Sequence, residues 1–158
     1  MPRHKTKALV REAAPDRVYQ NQQVTRVINR VMNDGKKQIA ERLVYNGMDK
    51  AAKRLKVESP LEVFEKAMKN IQPHMETRSR RVGGANYQIP FEVRGQRANH
   101  LTTMWFVAAA RARKGMSMED RIALELMDAY NNTGSAVKKR EDVHKLAESN
   151  RAFAHFAR

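Results

Sequence analysis

The chain has 158 residues, enough for one domain with a core, and carries 31 lysines and arginines against 17 acidic residues, a formal net charge of +14. This excess favours a polyanionic partner, nucleic acid before an anionic membrane surface. Cysteine is absent, which excludes disulfides and thiolate metal sites and is typical of a reducing compartment such as the cytoplasm. The longest apolar run, Met104 to Ala110, is too short to span a membrane, so no membrane span is expected.

The first 17 residues lack helical periodicity and also lack the apolar core of a secretory signal. Their basic side chains include Arg3, Lys5, Lys7 and Arg11. Such a segment cannot bury enough apolar surface to fold alone. Residues 1–17 are therefore predicted to form a flexible basic arm that an anionic partner orders.

Three helices are predicted to follow the arm, because apolar residues recur there at the spacing of one buried helical stripe. The first begins at about Asn21 and is ended by Asn33-Asp34-Gly35. The second begins at Lys36-Lys37 and includes Gly47, which costs about 1 kcal/mol relative to alanine in a helix interior and so indicates a close helix approach. The third begins at the capping box Ser59-Pro60-Leu61-Glu62.

The stretch TRSRRVGGANYQIPFEV, residues 77–93, predicts a β-hairpin within residues 75–93. Gly83 and Gly84 can both adopt the positive φ of a two-residue primed turn, and that turn pairs Arg80 with Tyr87. Because cross-strand partners share a face, one face carries Arg78, Arg80, Tyr87 and Ile89, and the other carries Ser79, Arg81, Asn86 and Gln88. Near the tip neither face is apolar enough to cover a protein core. A solvated surface hairpin and a nucleic-acid-binding ribbon both remain open.

Three further helices are predicted after the hairpin. The fourth follows Arg94-Gly95-Gln96-Arg97, and its apolar side consists of Leu101, Trp105, Ala108, Ala109 and Ala112. The fifth begins at Ser117 and the sixth at about Val137. The apolar positions of the sixth are Val143, Leu146 and Ala147, and residues 149–158 form a basic, aromatic tail. The predicted fold is all-α, a bundle of about six helices with one protruding β-hairpin arm and a basic N-terminal extension, in a single domain over residues 1–158.

No motif for catalysis or for a cofactor is present. The sequence contains no GxxxxGK loop, no GxGxxG turn and no HExxH pair. Its five histidines are scattered without the spacing of metal ligands, and no pair of carboxylates stands out as an acid/base couple. The sequence therefore predicts no enzyme activity, no cofactor and no metal site.

The positive charge is segregated to the arm, the loops, the helix ends and the hairpin. Outside the arm, the clustered basic residues are Lys36, Lys37, Arg78, Arg80, Arg81, Arg94, Arg97, Arg111, Arg113, Lys138, Lys139 and Arg140. The two lysine pairs are placed at predicted helix starts, where free backbone N–H groups favour phosphate. Separated basic sites are typical of a domain wrapped by folded RNA, whereas a single DNA recognition helix concentrates its contacts. A helical DNA-binding regulator and an RNA-modifying enzyme remain the alternatives.

Three stretches resemble one protein family, in order along the chain: VINRVMNDGKKQIAERLVYNG, SRRVGGANYQIPFEV and GSAVKKREDVHKLAESNRAFAHF. They make the chain similar to the ribosomal protein seven family of the small subunit, bacterial type. The resemblance implies a helical structural protein that binds small-subunit ribosomal RNA in its 3′ major domain and nucleates assembly of the subunit's head. It also implies neighbouring small-subunit proteins as partners and a cytoplasmic ribosome as the location.

Taken with the charge clusters, the resemblance implies two sets of site residues. The set that would hold ribosomal RNA is Arg3, Lys5, Lys7, Arg11, Lys36, Lys37, Arg94, Arg97, Arg111, Arg113, Lys138, Lys139 and Arg140. The hairpin set, which would lie near the exit-site tRNA and the messenger path, is Arg78, Arg80, Arg81, Gly83, Gly84, Asn86 and Tyr87. On this interpretation the hairpin needs no core of its own, because its faces are meant for RNA.

Overall fold

The computed structural model of the chain describes residues 13–157. Within that range the chain is mostly helical with one β-hairpin, as predicted. The α-helices are α1 (Gln22–Val31), α2 (Lys37–Leu55), α3 (Pro60–Ile71), α4 (Gly95–Ala112), α5 (Met118–Tyr130) and α6 (Ser135–Ser149). The strands are β1 (Met75–Val82) and β2 (Ala85–Glu92), and a C-terminal 3₁₀ helix covers Arg151–Ala157. Organisation as a single domain remains a prediction.

Side-chain caps determine where three of the helices begin. Asn21 before α1, Ser59 before α3 and Ser117 before α5 each accept a hydrogen bond from a backbone N–H of the first turn, at 2.8, 3.4 and 3.3 Å. These N–H groups have no partner within the helix, so a short side chain with an oxygen stabilises the start. The three predicted starts are confirmed.

The main core surrounds α5, which packs against α2, α3 and α4. Five helices each contribute a large buried side chain: Val27 from α1, Met48 from α2, Phe64 from α3, Phe106 from α4 and Leu126 from α5. Burying one such side chain contributes about 1.5–3 kcal/mol to folding. This packing fixes the helices whose ends carry the basic groups.

The buried sides of α4 and α6 differ from the prediction. Ala108 and Ala112 are exposed, and α4 instead buries Thr102 and Thr103. The reason is that α4 contacts both α1 and α5, so its buried surface is wider than one apolar stripe. The two threonine hydroxyls can be buried because they donate to carbonyl oxygens one turn earlier, at 2.8 and 2.9 Å. Leu146 is 46% exposed, because α6 packs through smaller side chains near its two ends.

The segment just before α1 is ordered by Asp16. This carboxylate is buried and accepts hydrogen bonds from the hydroxyl of Tyr45 and from the backbone N–H groups of Val18 and Tyr19, the last two at 3.1 and 2.9 Å. Burial alone would raise the pKa of the Asp16 carboxyl, but these hydrogen bonds outweigh it and the pKa is lowered. The predicted arm over residues 1–17 is thus wrong for residues 13–17, whereas residues 1–12 lie outside the described range.

The hairpin has the predicted register. Strands β1 and β2 are antiparallel with Arg80 opposite Tyr87, and Gly83 and Gly84 adopt φ of 57° and 90°, the left-handed values that the turn requires. Both strands contact α6, and β2 also contacts the 3₁₀ helix. The hairpin is therefore anchored on two neighbouring elements.

Helices α2 and α5 pack closely at Gly47. A Cβ atom added at this position would lie 2.7 Å from Ile122 Cγ2 and 3.2 Å from the Glu119 carbonyl oxygen. At an exposed position of a helix, replacing glycine by alanine stabilises the protein by about 1 kcal/mol. At Gly47 the added methyl has no room beside α5, and overpacking of this kind costs about 1–3 kcal/mol. We expect Gly47→Ala to lower the free energy of unfolding in a urea titration.

A second background isolates the cause of that loss. Ile122→Ala removes the Cγ2 atom 2.7 Å from the new methyl but keeps the Ile122 Cβ atom at 3.0 Å, so Gly47→Ala made in that background is expected to destabilise less than in the original protein. If Gly47→Ala destabilises equally in both backgrounds, contact with Ile122 is not the reason for the glycine.

Candidate nucleic-acid interface

Basic residues gather around the end of α1, at a site that we call the α1–α2 corner and define by Arg30, Lys36, Lys37 and Arg111. Nη2 of Arg111, near the end of α4, donates to the Arg30 carbonyl oxygen at 3.1 Å and to Asn33 Oδ1 at 3.3 Å. It thereby ties α4 to the C-terminal end of α1, where unpaired carbonyl groups favour a cation. Lys36 and Lys37 follow and are exposed. The corner combines a fixed guanidinium with two solvent-exposed ammonium groups.

The beginning of the described chain runs past the same corner. Residues 13–17 line a cleft together with Asn29, Lys37 and Glu41. The segment that contains Arg3, Lys5, Lys7 and Arg11 lies outside the described residues, but the chain enters the fold beside Lys37.

The two lysine pairs do not provide free backbone N–H groups, so that part of the prediction is wrong. The N–H of Lys37 donates to the Gly35 carbonyl oxygen at 2.8 Å. Helix α6 begins at Ser135, after Gly134 with a φ of 92°, and not at about Val137. The N–H of Lys138 therefore already donates to the Gly134 carbonyl oxygen at 3.0 Å. Lys138 and Lys139 are exposed, so their ammonium groups remain accessible.

A buried carboxylate joins the hairpin to α4. Glu76 has a side chain only 8% exposed; its Oε1 accepts from Arg78 Nε at 2.7 Å, and its Oε2 accepts from Arg97 Nη2 and Nε at 2.9 and 3.1 Å. Burial would raise the pKa of the Glu76 carboxyl, but the hydrogen bonds from Arg97 and Arg78 outweigh it and lower the pKa. The side chains of Arg78 and Arg97 are still 58% and 50% exposed. The neighbouring Arg94, 78% exposed, pairs with Glu92.

The two faces of the hairpin have different surroundings. Ser79, Arg81, Asn86 and Gln88, on one face, are all exposed, as are Gly83 and Gly84 at the turn. On the other face Ile89 is fully buried and Tyr87 is half-buried, its ring centroid 5.0 Å from that of Phe153 and 5.5 Å from that of Phe156. Arg80 Nη1 donates to the Phe156 carbonyl oxygen at 2.8 Å. Neither face covers the main core near the tip, as expected, but the C-terminal 3₁₀ helix packs on the Tyr87 face, which the sequence did not predict.

Two predicted RNA-binding arginines have partners inside the chain. Arg113, 26% exposed, donates from Nε and Nη2 to Glu125 Oε2 at 3.0 and 2.7 Å, and it also pairs with Asp128. Arg140, 18% exposed, donates to the carbonyl oxygen of Asn70 and, at 3.3 Å, to Asn132 Oδ1. The bonds of Arg113 connect the end of α4 with α5. Those of Arg140 connect α6 with α3 and with the loop between α5 and α6. Binding of RNA by these two side chains remains a prediction.

A pair of histidines joins the hairpin to α6. The backbone N–H of His74 donates to His144 Nε2 at 3.1 Å, and the two rings stack with centroids 6.0 Å apart. Burial lowers the pKa of His144, and the charge of Arg140 lowers it further, so the neutral ring that can accept this bond is favoured. Within residues 13–157 no group of three or more histidine, cysteine or acidic side chains could hold a metal ion.

None of the helices in the described part of the chain is long and apolar enough to cross a membrane. A family model described as ribosomal protein S7p/S5e matches residues 3–151, nearly the whole sequence. The chain belongs to the S7p/S5e family. The resemblance drawn from the three sequence stretches is thereby confirmed.

Curated relatives of this S7p/S5e protein are similar along nearly all of their length. The small ribosomal subunit protein uS7 of Kosmotoga olearia is 55% identical over 95% of this chain and 96% of its own. The uS7 protein of Symbiobacterium thermophilum is 56% identical over 92% of this chain and 93% of its own. That of Streptococcus agalactiae is 55% identical over 96% of this chain and 97% of its own.

Membership in the S7p/S5e family makes the chain a ribosomal protein of the small subunit, part of a ribonucleoprotein that acts in translation. The family is structural and not enzymatic, so the expectation that the chain is no enzyme is confirmed by its relatives. Three features of this S7p/S5e protein were not predicted from the sequence. They are the pairing of Arg113 with Glu125 and Asp128, the pair of His74 and His144, and the docked 3₁₀ helix. Only the last had a signal, since Phe153 and Phe156 are three residues apart and so share one side of a 3₁₀ turn.

Proposed function

We propose that this protein is a primary binder of small-subunit ribosomal RNA in the 3′ major domain, and that it nucleates assembly of the subunit's head in the cytoplasm. The observation that carries the proposal is the placement of exposed basic groups at three separated sites of a protein with net charge +14. These sites are the α1–α2 corner, the base of the hairpin with Arg94 and Arg97, and the first half of α6 with Lys138 and Lys139. The proposed contacts in the described chain are Lys36, Lys37, Arg94, Arg97, Arg111, Lys138 and Lys139.

The remaining residues of the predicted RNA-binding set have other roles in this proposal. Arg3, Lys5, Lys7 and Arg11 lie outside the described residues, and they are proposed as further contacts to ribosomal RNA. Arg113 and Arg140 act mainly through the helices that they hold together, because most of each guanidinium is turned toward protein groups. Neighbouring proteins of the small subunit complete the set of partners, and no cofactor is needed.

Folded RNA suits this arrangement better than a DNA groove. A recognition helix brings its base contacts to one helix, whereas here the proposed contacts belong to the start of α2, both ends of α4 and the first half of α6. A folded RNA can place phosphates at several such points, and phosphate contacts supply most of the affinity.

The hairpin is proposed to lie near the exit-site tRNA and the messenger path. Its exposed face supplies Arg81 and Asn86 beside the Gly83-Gly84 turn. Arg78, Arg80 and Tyr87 contribute less directly, because each already contacts Glu76 or the 3₁₀ helix. A narrow ribbon of this kind can reach RNA without a second protein layer on its exposed face.

Binding to the 3′ major-domain fragment of small-subunit ribosomal RNA tests the proposal. The purified protein is titrated with this fragment and with duplex DNA of equal charge across a salt series. With roughly six phosphate contacts, affinity for either polymer is expected to fall about a thousandfold between 50 and 200 mM salt. The salt dependence therefore does not discriminate, but the ratio of affinities does.

The RNA fragment is expected to bind tighter than the duplex by about a thousandfold at physiological salt, the range that separates specific from non-specific sites. Equal affinities would show that the charge is a general polyanion surface, and would contradict specific binding of ribosomal RNA.

A further inference from the structure

The hairpin is not expected to hold a fixed direction by itself. An isolated two-stranded ribbon is marginally stable in water. Its residues from Ser79 to Arg81 and at the turn are exposed, and they lie beyond the contacts that Glu76 and His74 make at the base. Whatever fixes the outer half must therefore contact the strands between the base and the turn.

The 3₁₀ helix Arg151–Ala157 makes that contact. A 3₁₀ helix has three residues per turn, so Phe153 and Phe156 project to the same side, with their rings 16° from parallel. Both rings reach Tyr87, at centroid distances of 5.0 and 5.5 Å. The carbonyl group of Phe156 accepts a hydrogen bond from Arg80 at 2.8 Å.

Those contacts fall on one rung of the ladder. Arg80 and Tyr87 are directly opposite each other in the register, so the 3₁₀ helix contacts both strands at the same level. It packs on the face that also buries Ile89, and it leaves Ser79, Arg81, Asn86 and Gln88 exposed on the other. Among the described residues, this aromatic group lies apart from the main core.

We propose that the segment Arg151–Ala157 is a positioning element for the hairpin: it fixes the direction of the ribbon so that the face with Arg81 and Asn86 meets RNA. Phe153 and Phe156 are the positioning residues, and they act through Tyr87 without contacting the RNA. The inference rests on the proposed function, because it deepens the role given there to the hairpin.

Three double variants separate a positioning role from direct contact with RNA and from a role in global stability. Phe153→Ala with Phe156→Ala removes both rings. Phe153→Tyr with Phe156→Tyr keeps them and serves as the conservative rescue. Arg81→Ala with Asn86→Ala changes only the exposed face and tests the RNA contact itself. The urea midpoint of global unfolding is expected to stay unchanged in all three, since none of these residues belongs to the main core.

Hydrogen exchange of the free protein gives the first result. Removing the two aromatic rings is expected to speed exchange of the amides in residues 79–88 by about 10- to 100-fold in the double alanine variant. The double tyrosine variant and the Arg81, Asn86 variant are expected to exchange like the original protein. Unchanged exchange in the double alanine variant would overturn the inference, whatever the protein does with RNA.

Release of deacylated tRNA from the exit site gives the second result, in ribosomes whose small subunits are reconstituted with each variant. The double alanine variant is expected to release tRNA about 3- to 10-fold faster. Without the two rings the hairpin becomes ordered only when it binds tRNA, and the entropy lost in that step weakens the contact. The double tyrosine variant is expected to restore the rate. Faster exchange without faster release would overturn the positioning role. If the Arg81, Asn86 variant releases tRNA at the original rate, the proposed tRNA contact fails instead, and the exchange data still show whether the 3₁₀ helix orders the hairpin.

Discussion

Glu125→Ala is expected to lower the free energy of unfolding by about 3–5 kcal/mol, the usual cost of removing one partner of a buried ion pair. Glu125 is fully buried, and its two oxygens have different partners. Oε2 accepts two hydrogen bonds from Arg113, and Oε1 accepts one at 3.0 Å from the backbone N–H of Ala136 in the first turn of α6. The alanine variant leaves that N–H without its acceptor, and Arg113 keeps only its pairing with Asp128. Urea unfolding measures the loss.

Two variants show whether the loss comes from this network. Glu125→Gln keeps an oxygen for the Ala136 N–H but removes the charge, so an intermediate loss of about 1–3 kcal/mol is expected. Glu148→Ala removes an exposed carboxylate from the same protein and is expected to change stability by less than about 0.5 kcal/mol. A Glu125→Ala variant as stable as the Glu148→Ala variant would show that the network does not hold α4, α5 and α6 together.

Lys36→Ala combined with Lys37→Ala is expected to weaken binding of the ribosomal RNA fragment about 10- to 100-fold, because each phosphate contact of an exposed lysine is worth about 1 kcal/mol and two are lost. The slope of log affinity against log salt is expected to fall by about 2, since each phosphate that is no longer neutralised accounts for about one unit. Stability is expected to change by less than about 0.5 kcal/mol, since relief of the lysines that oppose the helix dipole offsets the loss of the Lys37–Glu41 ion pair. Binding titrations check the affinity and the salt slope, and urea unfolding checks the stability.

The opposite end of α2 supplies a matched control. Lys53→Ala with Arg54→Ala removes the same charge, about 25 Å away along the helix at 1.5 Å per residue. Both residues lie in the last turn of α2, where cations favour the helix, so this variant is expected to lose a little stability and keep its affinity for RNA. Equal weakening by both pairs would mean that total charge, and not the α1–α2 corner, determines binding.

Local signals made most of the fold predictable from the sequence. Asn21, Ser59 and Ser117 are short polar residues that cap a helix through hydrogen bonds inside one turn. The register of the hairpin follows from the Gly83-Gly84 turn, because a two-residue turn leaves only one pairing. The buried side of α4 was less predictable, since an alanine such as Ala108 is small enough for either environment.

The candidate site was predictable as a charge distribution but not as a set of pairings. Sequence position indicates that Lys36 and Arg113 are both in basic clusters, but it does not show that only Arg113 faces a buried carboxylate on another helix. The docking of Phe156 on Tyr87 likewise depends on an approach between distant parts of the chain. Such pairings form only when the helices are packed, so local pattern carries no information about them.

The docked 3₁₀ helix also affects the order in which the molecule is completed during synthesis. The hairpin can close as soon as its own strands exist, because its turn is local. The bond between Arg80 and Phe156, however, joins residues 76 positions apart, so the Tyr87 face stays uncovered until everything through α6 has been made. A nascent chain thus lacks the cover on Tyr87 throughout the time in which α4, α5 and α6 emerge. The hairpin is among the first parts to fold and among the last to be finished.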